Sequence, residues 1–213
     1  MIGTKDQEEL FRLIADYLEK DITCVAIGGT AMMFSGYKSA TKDIDLVFAS
    51  EQDRTAFVRA IDKLGYSRRA LAGVYDERRK AHKDRPQMFA RGEERFDLFV
   101  RSVFGLTVQM GQDSIVERRD FIGKRELIIA ILPAEELILL KAVTGREKDY
   151  EDIETIITAE KSIDWDRVID RAIQQKGGNE WILIDLEETL QKLRKLTFIP
   201  QKHFERMYRA QGE

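Results

Sequence analysis

Apolar and polar residues along the first two thirds of the chain follow patterns that predict both helices and strands. Residues 4–20 carry apolar side chains at helical spacing behind an acidic start, which predicts an amphipathic helix, and 51–64 predict a second. Short apolar runs, partly β-branched, predict strands at 22–27, 43–48, 95–100 and 126–132, with weaker ones at 66–71 and 87–91. A short helix is expected over 113–117.

Beyond residue 132 the pattern becomes helical throughout. Pro133 opens an apolar helix with glutamates in its first turn, the usual place for both residue types. The predicted helices cover about 133–144, 147–160, 164–175 and 179–196. We therefore expect an α/β (α+β) fold, with a small mixed sheet flanked by helices and then a helical C-terminal half. The expected domains are 1–132 and 133–213.

Composition indicates the general class of protein but not its function. The chain has 213 residues, 43% of them hydrophobic and 34% charged, which is typical of a globular protein with a substantial core. A net charge of −3 argues against a generally basic surface. With one cysteine and two histidines, the composition argues against a Cys/His zinc site. With a charged N-terminus and no apolar run of about 20 residues, we expect a cytoplasmic location.

Two aspartates interrupt the apolar strand 43–48. Asp43 and Asp45 are two residues apart, so in a strand they point to the same face, while Ile44 and Leu46 point to the other. Neighbouring carboxylates repel each other unless a cation lies between them, and Mg²⁺ prefers such oxygen ligands. Asp97 interrupts the later strand RFDLFV in the same way. Three carboxylates on adjacent strands are suited to two metal ions, although aspartates near strand ends also act as caps and turns.

A glycine corner precedes these aspartates. Gly28 and Gly29 follow the strand 22–27 and precede a short helix predicted from Thr30 to Phe34. Glycine lets a ligand approach the backbone, and a helix N-terminus offers N–H groups to an anion. This combination predicts a phosphate-binding corner beside the carboxylates, whereas a Gly-Gly pair by itself more often marks a turn.

The stretch GGTAMMFSGYKSATKDIDLVF resembles the signature of the polymerase-β-like nucleotidyltransferases. It is most similar to the minimal AbiEii-type branch found in toxin–antitoxin and abortive-infection systems. Gly-Gly-x-Ala and Thr-x-Asp-Ile-Asp-Leu of that branch correspond to Gly28, Gly29, Ala31, Thr41, Asp43, Ile44, Asp45 and Leu46. The helical element after Pro133 is also similar, through Lys141, Arg146, Lys148, Asp149 and Asp152. The resemblance covers about residues 22–157.

The resemblance implies a fold of the nucleotidyltransferase type and a set of roles. Asp43, Asp45 and Asp97 would be catalytic and would hold two Mg²⁺ ions, with Mn²⁺ as a substitute. The implied nucleotide-binding residues are Gly28, Gly29, Thr30, Thr41, Lys42, Lys141 and Asp149. The implied partners are a nucleoside triphosphate such as ATP and a hydroxyl acceptor, either a tRNA 3′ end or a protein. A cognate toxin or antitoxin is a further implied partner.

Several alternatives stay open at this point. Lys141 on an apolar helix also fits a side chain that extends to solvent, and Asp149 fits a solvated helix start with local ion pairs. Small hydroxylated molecules, including aminoglycosides, are a third class of acceptor. Other functions compatible with the same residues are a non-catalytic nucleotide- or partner-binding antitoxin or regulator, and a metal-dependent nuclease or phosphohydrolase.

A basic stretch stands out in this acidic chain. Between Arg78 and Arg85 the sequence RRKAHKDR holds five lysines and arginines and a single acid, Asp84. Such a stretch is usually a solvated loop, but it also fits a segment that attracts a polyanion such as RNA.

Overall fold

A computed structural model describes residues 2–71, 75–111, 114–179 and 181–212. The chain divides into two compact units, Met1–Val103 with Val108–Pro133, and Phe104–Thr107 with Ala134–Glu213. The predicted fold class is confirmed, since a mixed sheet with flanking helices is followed by a helical half. Among the described residues, no helix is long and apolar enough to cross a membrane.

Among the described residues, the first unit contains one large sheet, a separate two-stranded sheet and four α-helices. Its strands are β1 (Ile2–Gly3), β2 (Ile22–Ile27), β3 (Ala40–Thr41), β4 (Asp43–Phe48), β5 (Ser67–Arg69), β6 (Gln87–Arg91), β7 (Glu94–Val100), β8 (Ser102–Val103), β10 (Glu117–Ile122) and β11 (Glu126–Ile131). Its helices are α1 (Thr4–Tyr17), α2 (Gly28–Phe34), α3 (Glu51–Lys63) and α4 (Glu77–Ala81). The short strand β9 (Leu106–Thr107) belongs to the second unit.

Ser114 lies in a 3₁₀ turn. Asp113, where the predicted helix over 113–117 begins, lies outside the described residues, and from Glu117 onward the chain is the strand β10. The sequence patterns did not predict β10 as a separate strand. Its sequence ERRDFI is mostly polar because it lies at an edge of the sheet, where one face and one side meet solvent.

The large sheet has the strand order β10-β11-β2-β4-β7-β6-β5. The neighbours β11 and β2 are parallel, as are β4 and β7, while β2 and β4 are antiparallel. β1 and β3 form a separate two-stranded antiparallel sheet. The order places β4 and β7, which carry the aspartates, side by side near the centre of the sheet.

Aromatic residues cover the face of the sheet opposite the aspartates. Phe57 of α3 packs against Phe48 of β4 at 5.1 Å and against Phe96 of β7 at 5.6 Å, measured between ring centroids. Phe48 and Phe96 alternate with the aspartates along their strands, so they point to the other face. All three rings are fully buried. The core under α3 therefore fixes the strands on which the carboxylates lie.

The second unit consists mainly of helices. They are α5 (Ala134–Thr144), α6 (Glu147–Ala159), α7 (Trp165–Gln175), α8 (Trp181–Leu193) and α9 (Gln201–Gly212), with a 3₁₀ turn at Lys176–Gly178. The first four begin and end within three residues of the predicted bounds. α5 is buried on all sides and packs against α6, α7 and α8, as expected for a helix that is apolar all round.

Candidate active site

Three aspartates share one face of the sheet. Asp45 of β4 and Asp97 of β7 are direct partners in the parallel register, and Asp43 is paired with Arg95 two residues earlier. Residues two apart in a strand share a face, and so do register partners in neighbouring strands. The structure therefore brings Asp43, Asp45 and Asp97 together.

Burial raises the pKa of Asp97 to about 7, and the negative charge of Asp45 adds to the effect. The Asp97 side chain is fully buried, and Asp45 is 5% exposed. The positive charge of Arg95 and a hydrogen bond from Tyr75 act in the opposite direction but do not outweigh burial. Asp97 thus binds a proton far more readily than an ordinary aspartate does.

Arg95 lies between two of the carboxylates. Its Nη2 is 2.5 Å from Asp43 Oδ2, and its Nε is 3.2 Å from Asp97 Oδ1. Side chains alternate between the two faces along a strand, so Arg95, two residues before Asp97, lies on the same face. This spacing is the signal in the sequence that would have identified Arg95 as a site residue. The guanidinium supplies positive charge where the aspartates repel each other.

Tyr75 covers Asp97 from another segment of the chain. Its hydroxyl donates a hydrogen bond to Asp97 Oδ2 at 3.0 Å, and its side chain is buried. The sequence gives no indication of this contact, because Tyr75 is 22 residues away and in no regular element. Within the described residues, the other oxygen, Asp97 Oδ1, is buried without a hydrogen-bond donor in suitable geometry.

The glycine corner fits closely against these strands. The Gly29 backbone N–H donates a hydrogen bond to Asp45 Oδ2 at 3.2 Å. A Cβ on Gly28 would lie 2.2 Å from Asp45 Oδ2, and one on Gly29 would lie 2.1 Å from Thr41 Oγ1. Gly28 also has a φ of +53°, a conformation that residues with a side chain rarely adopt. Both positions therefore require glycine, and the corner holds Asp45 in place.

Thr30 supports Asp45 from within the core. Its fully buried hydroxyl accepts hydrogen bonds from the Asp45 backbone N–H at 3.2 Å and from Gln7 Nε2 at 3.3 Å. A contact between Thr30 and a phosphate stays a prediction, which this burial does not favour. Thr41 donates a hydrogen bond to the Asp43 carbonyl at 3.1 Å, and Lys42 is exposed at the bend before β4.

The oxygen atoms of the carboxylate face are of the type that binds divalent cations, but the side chains are not yet arranged around a cation. Carboxylate oxygens are the ligands that Mg²⁺ and Mn²⁺ prefer, and the buried Asp97 Oδ1 receives no well-aligned hydrogen bond from the described residues, although Arg95 Nε lies 3.2 Å away. In the part of the chain that the structure describes, however, no three His, Cys, Asp or Glu side chains are arranged as a ready-made metal site. A cation at Asp43 and Asp97 would have to displace the Arg95 guanidinium.

Lys141 and Asp149 lie in the second unit, in a buried ion network. Lys141 Nζ is 3.2 Å from Asp149 Oδ1 and 2.5 Å from Asp152 Oδ2, and all three side chains are buried. Asp149 also accepts hydrogen bonds from the Thr144 hydroxyl at 2.7 Å and from Arg146 Nε at 2.9 Å. The network joins α5 to the start of α6.

The charges of this network keep Asp149 ionised. Burial opposes ionisation, but Lys141 and Arg146 outweigh it and hold the pKa of Asp149 well below its usual range. Lys141 therefore neither extends to solvent nor lies unpaired. Its contact with a phosphate, and that of Asp149 with a nucleotide, stay predictions.

Comparisons with known proteins give a partial likeness in fold. No protein-family model and no curated protein matches the chain. The crystal structure of ANT(2″)-Ia in complex with adenylyl-2″-tobramycin has a TM-score of 0.46 and 16% identity, covering 87% of this chain and 98% of that chain. The solution structure of ANT(2″)-Ia has a TM-score of 0.47 and 17% identity, covering 90% and 95%.

A third solved structure, of an H. pylori protein provisionally assigned as a nucleotidyltransferase, has a TM-score of 0.43 and 13% identity. It covers 98% of this chain and 93% of that chain. Since all three TM-scores are below 0.5, we base the function of this chain on its own site.

Proposed function

We propose that this chain is a metal-dependent nucleotidyltransferase. It would transfer a nucleoside monophosphate from a nucleoside triphosphate to a hydroxyl group of an acceptor. The observation that carries the proposal is the placement of Asp45 and Asp97 as register partners, with Asp43 on the same face and Gly28–Gly29 directly against Asp45. The resemblance of GGTAMMFSGYKSATKDIDLVF to the nucleotidyltransferase signature supports it independently.

The reaction would begin with attack of the acceptor oxygen on the α-phosphorus. A new bond forms between that oxygen and the α-phosphorus, the bond to the β-phosphate bridging oxygen breaks, and pyrophosphate leaves with its electron pair. Asp97 would help to activate the acceptor hydroxyl, whose proton would pass to bulk water as the new bond forms. Divalent metal ions held by Asp43, Asp45 and Asp97 would offset the charge of the triphosphate.

The proposal requires the two side chains that satisfy Asp97 to move. Arg95 pairs with Asp43 and Asp97, and Tyr75 donates to the remaining Asp97 oxygen. Both contacts would be released when nucleotide and metal bind. The nucleotide phosphates would then lie at Gly28 and Gly29, whose lack of side chains allows a close approach.

The test is transfer of label from each α-³²P nucleoside triphosphate in turn, with Mg²⁺, total RNA and cell proteins present. We expect one polymer class to become labelled and pyrophosphate to be released in equal amount. Asp45→Asn should reduce labelling by at least about 100-fold, the loss typical of removing one electrostatic contact to a transition state. Asp62→Asn, at an exposed position of α3, is the matched control and should label normally. Labelling by Asp45→Asn at the parental rate would exclude the proposed chemistry.

A second candidate function is a non-catalytic nucleotide- or partner-binding regulator. The observation that favours it is Arg95, which already compensates the charge of Asp43 and Asp97 without a metal ion. Calorimetric titration with ATP, in Mg²⁺ and then in EDTA, separates the two candidates. An enzyme of the proposed kind should bind nucleotide only with the metal, whereas a regulator should bind equally well in both. A nuclease or phosphohydrolase would release phosphate or cut RNA without transferring label.

A further inference from the structure

The strand β10 forms one edge of the large sheet. It ends the strand order, and among the described residues it pairs with β11 alone. The outer side of an edge strand carries backbone N–H and C=O groups with which a strand of another molecule can pair. Proline and short length are two common protections against such pairing, and neither applies to the six residues ERRDFI of β10. The backbone of β10 can therefore accept a further strand.

The opposite edge of the same sheet is protected. β5 has only three residues, and two of them are the adjacent exposed arginines Arg68 and Arg69. Pairing of two such strands would place arginines beside each other, and like charges in that position repel. The charges of β10 differ, because both signs occur within the one strand.

The two faces of β10 carry different side chains. Phe121 lies on the face that α1 covers, and its ring centroid is 5.3 Å from that of Phe11. Arg118, Asp120 and Ile122 alternate with Phe121, so they point to the other face, and all three are exposed. Within the described part of the chain, neither Arg118 nor Asp120 forms an ion pair. This face thus offers one positive and one negative charge to a partner.

Two strongly exposed apolar side chains flank these charges. Ile122 at the end of β10 is 74% exposed, and Val116, which directly precedes β10, is 64% exposed. Beside Val116 lies a concavity of about 310 Å³, lined by Ile115, Val116, Glu117 and Arg118. Single exposed apolar residues are common on proteins, but here they mark both ends of one strand. The order apolar, positive, negative, apolar complements itself when it is reversed.

Two copies of β10 can pair about a two-fold axis in a register that satisfies this face. In an antiparallel pair the register partners share a face, so the axis passes between two copies of the same residue. With Arg119 at the axis, Arg118 lies opposite Asp120 of the second copy, and Asp120 lies opposite Arg118 of that copy. Continued outward, the same register sets Val116 opposite Ile122 of the second copy.

The neighbouring registers do not fit. An axis at Asp120 would place two aspartates opposite each other, and an axis at Arg118 would place two arginines there. The register centred on Arg119 avoids both, because Arg118 and Asp120 lie at equal distances on either side of it.

Arg119 can lie at the axis because its own charge is compensated within the chain. Its Nη1 is 2.8 Å from Glu8 Oε1, and its Nε is 3.0 Å from Glu117 Oε1. Its guanidinium also lies over the ring of Phe34, 4.6 Å from the centroid. These contacts hold each Arg119 side chain against its own subunit and reduce the repulsion between the two copies.

We propose that β10 is a dimerisation strand, through which two copies of this chain pair antiparallel and join their large sheets into one. The partner is a second copy because the charged and the apolar residues of the exposed face both find their complements within the same strand, as an isologous interface requires. The proposal does not depend on the proposed function, since β11 and β2 separate β10 from β4.

The first experiment is sedimentation equilibrium of the full chain from about 1 to about 500 μM, a range suited to interfaces smaller than about 1,200 Å². Asp120→Arg makes positions 118 and 120 both positive, and Arg118→Asp makes both negative. Asp62→Arg and Arg68→Asp, at exposed positions outside β10, change the net charge equally and are the matched controls. Circular dichroism checks that each variant is folded.

We expect the parent to be a reversible dimer. Asp120→Arg and Arg118→Asp should each raise the dimer Kd at least about 10-fold, because both symmetric pairs change from attraction to repulsion together. The controls should keep the parental Kd. An equimolar mixture of the two single variants should dimerise again, since each pair in the mixed dimer joins opposite charges.

Two outcomes of this experiment would overturn the proposal. One is a parent that stays monomeric over the whole concentration range. The other is a dimer that tolerates both single variants, which would mean that the subunits meet through another surface.

The second experiment tests the register directly, by oxidising a mixture of Arg118→Cys and Asp120→Cys variants. The native Cys24 is buried and does not compete. Opposed residues of an antiparallel pair have Cα atoms about 4.5–5.5 Å apart, which is within the range of a disulfide. The linked dimer should form in the mixture and hardly at all from either variant alone, because two copies of position 118 are two residues out of register. Equal linkage in the unmixed variants would overturn the proposed pairing.

Discussion

Asp45 is held by contacts that involve its backbone and its side chain alike. Its N–H donates to the Thr30 hydroxyl, and its carboxylate accepts from the Gly29 N–H. Gly28 lies so close that no side chain fits between the two residues. Individual residues of the corner thus determine where one carboxylate points.

Gly28→Ala should destabilise the protein more than Gly36→Ala does. Both glycines have positive φ, +53° and +78°, so alanine at either costs about 1–2 kcal/mol of backbone strain. A Cβ at position 28 would also lie 2.7 Å from Asp45 Cγ, whereas one at position 36 would meet nothing within 4 Å. The clash adds about 1–3 kcal/mol, typical of overpacking.

Urea unfolding of the two variants checks this prediction, with Gly36→Ala as the matched control for strain. Equal losses of unfolding free energy in the two variants would show that Asp45 moves away from position 28 at no cost.

Asp97 should make the metal-free protein less stable as the pH rises from about 4 to about 7. Its pKa in the folded state is raised to about 7, and in the unfolded state it is near its ordinary value of about 4. Below pH 4 the carboxyl is protonated in both states. Between the two pKa values the unfolded state loses the proton and the folded state keeps it, so the stability contributed by Asp97 is lost as the pH rises.

The measurement is urea unfolding in EDTA from pH 4 to pH 8. The advantage of Asp97→Asn over the parent should grow across this window and level off above pH 7. The difference between Asp62→Asn and the parent should stay constant by comparison. Parallel curves for Asp97→Asn and the parent would contradict the raised pKa.

At the scale of elements, helices of the second unit are joined by buried polar groups as well as by apolar packing. The ion network of Lys141, Asp149 and Asp152 joins α5 to α6. A second buried pair, Arg171 Nε with Glu136 Oε1 at 2.6 Å, joins α7 to α5. Removing one partner of such a group leaves a buried charge uncompensated, which costs more than the pair contributes.

Lys141→Met should reduce the unfolding free energy by about 3–5 kcal/mol, because it removes the buried cation that Asp149 and Asp152 share. Lys161→Ala, at an exposed position, should change it by less than about 0.5 kcal/mol. Denaturant unfolding monitored by circular dichroism measures both. A loss below 1 kcal/mol in Lys141→Met would show that the network adds little to stability.

The double variant Lys141→Met with Asp152→Leu distinguishes a structural role of Lys141 from a role in nucleotide binding. Replacing both partners by apolar residues should restore most of the stability. If this stable variant transfers nucleotide normally, Lys141 is a structural residue. If it binds ATP poorly despite its stability, the predicted phosphate contact is supported.

At the scale of the whole molecule, the chain carries a net charge of −3 but distributes it unevenly. The carboxylates gather on one face of the sheet, and Arg68, Arg69 and Arg85 line a cavity at its edge. Under the proposed function, a triphosphate with its metal ions would offset the charge of the carboxylates. Ligand binding should therefore be visible in the stability of the protein.

ATP with Mg²⁺ at 100 times the Kd should stabilise the folded protein by about 2.7 kcal/mol. At about 2–4 °C per kcal/mol for a chain of this size, the thermal midpoint should rise by about 5–10 °C. Scanning calorimetry with the preferred nucleotide measures it. EDTA should abolish the rise, and Asp43→Asn with Asp45→Asn should show none. A rise that persists in EDTA would favour the non-catalytic regulator.

The sequence determined the elements and the residues that could carry chemistry. The spacing of apolar residues distinguishes strands from helices, because each element buries one face and the spacing of that face is visible in a short stretch of sequence. The bounds of α5 to α8 and of the main strands were therefore predicted within a few residues. The spacing of Asp43 and Asp45 put both on one face for the same local reason. The partners β4 and β7, by contrast, are separated by α3, α4 and two further strands, and no local pattern specifies that pairing.

Only the tertiary structure placed Tyr75 on Asp97, Arg95 between two aspartates, and Thr30 beneath Asp45. It also turned Lys141 inward, although the sequence allowed a side chain that reaches solvent. These are contacts between distant segments, whose free energy depends on burial and on neighbouring charge. A chain specifies its local periodicity residue by residue, but the environment of a charge exists only once the chain has folded around it.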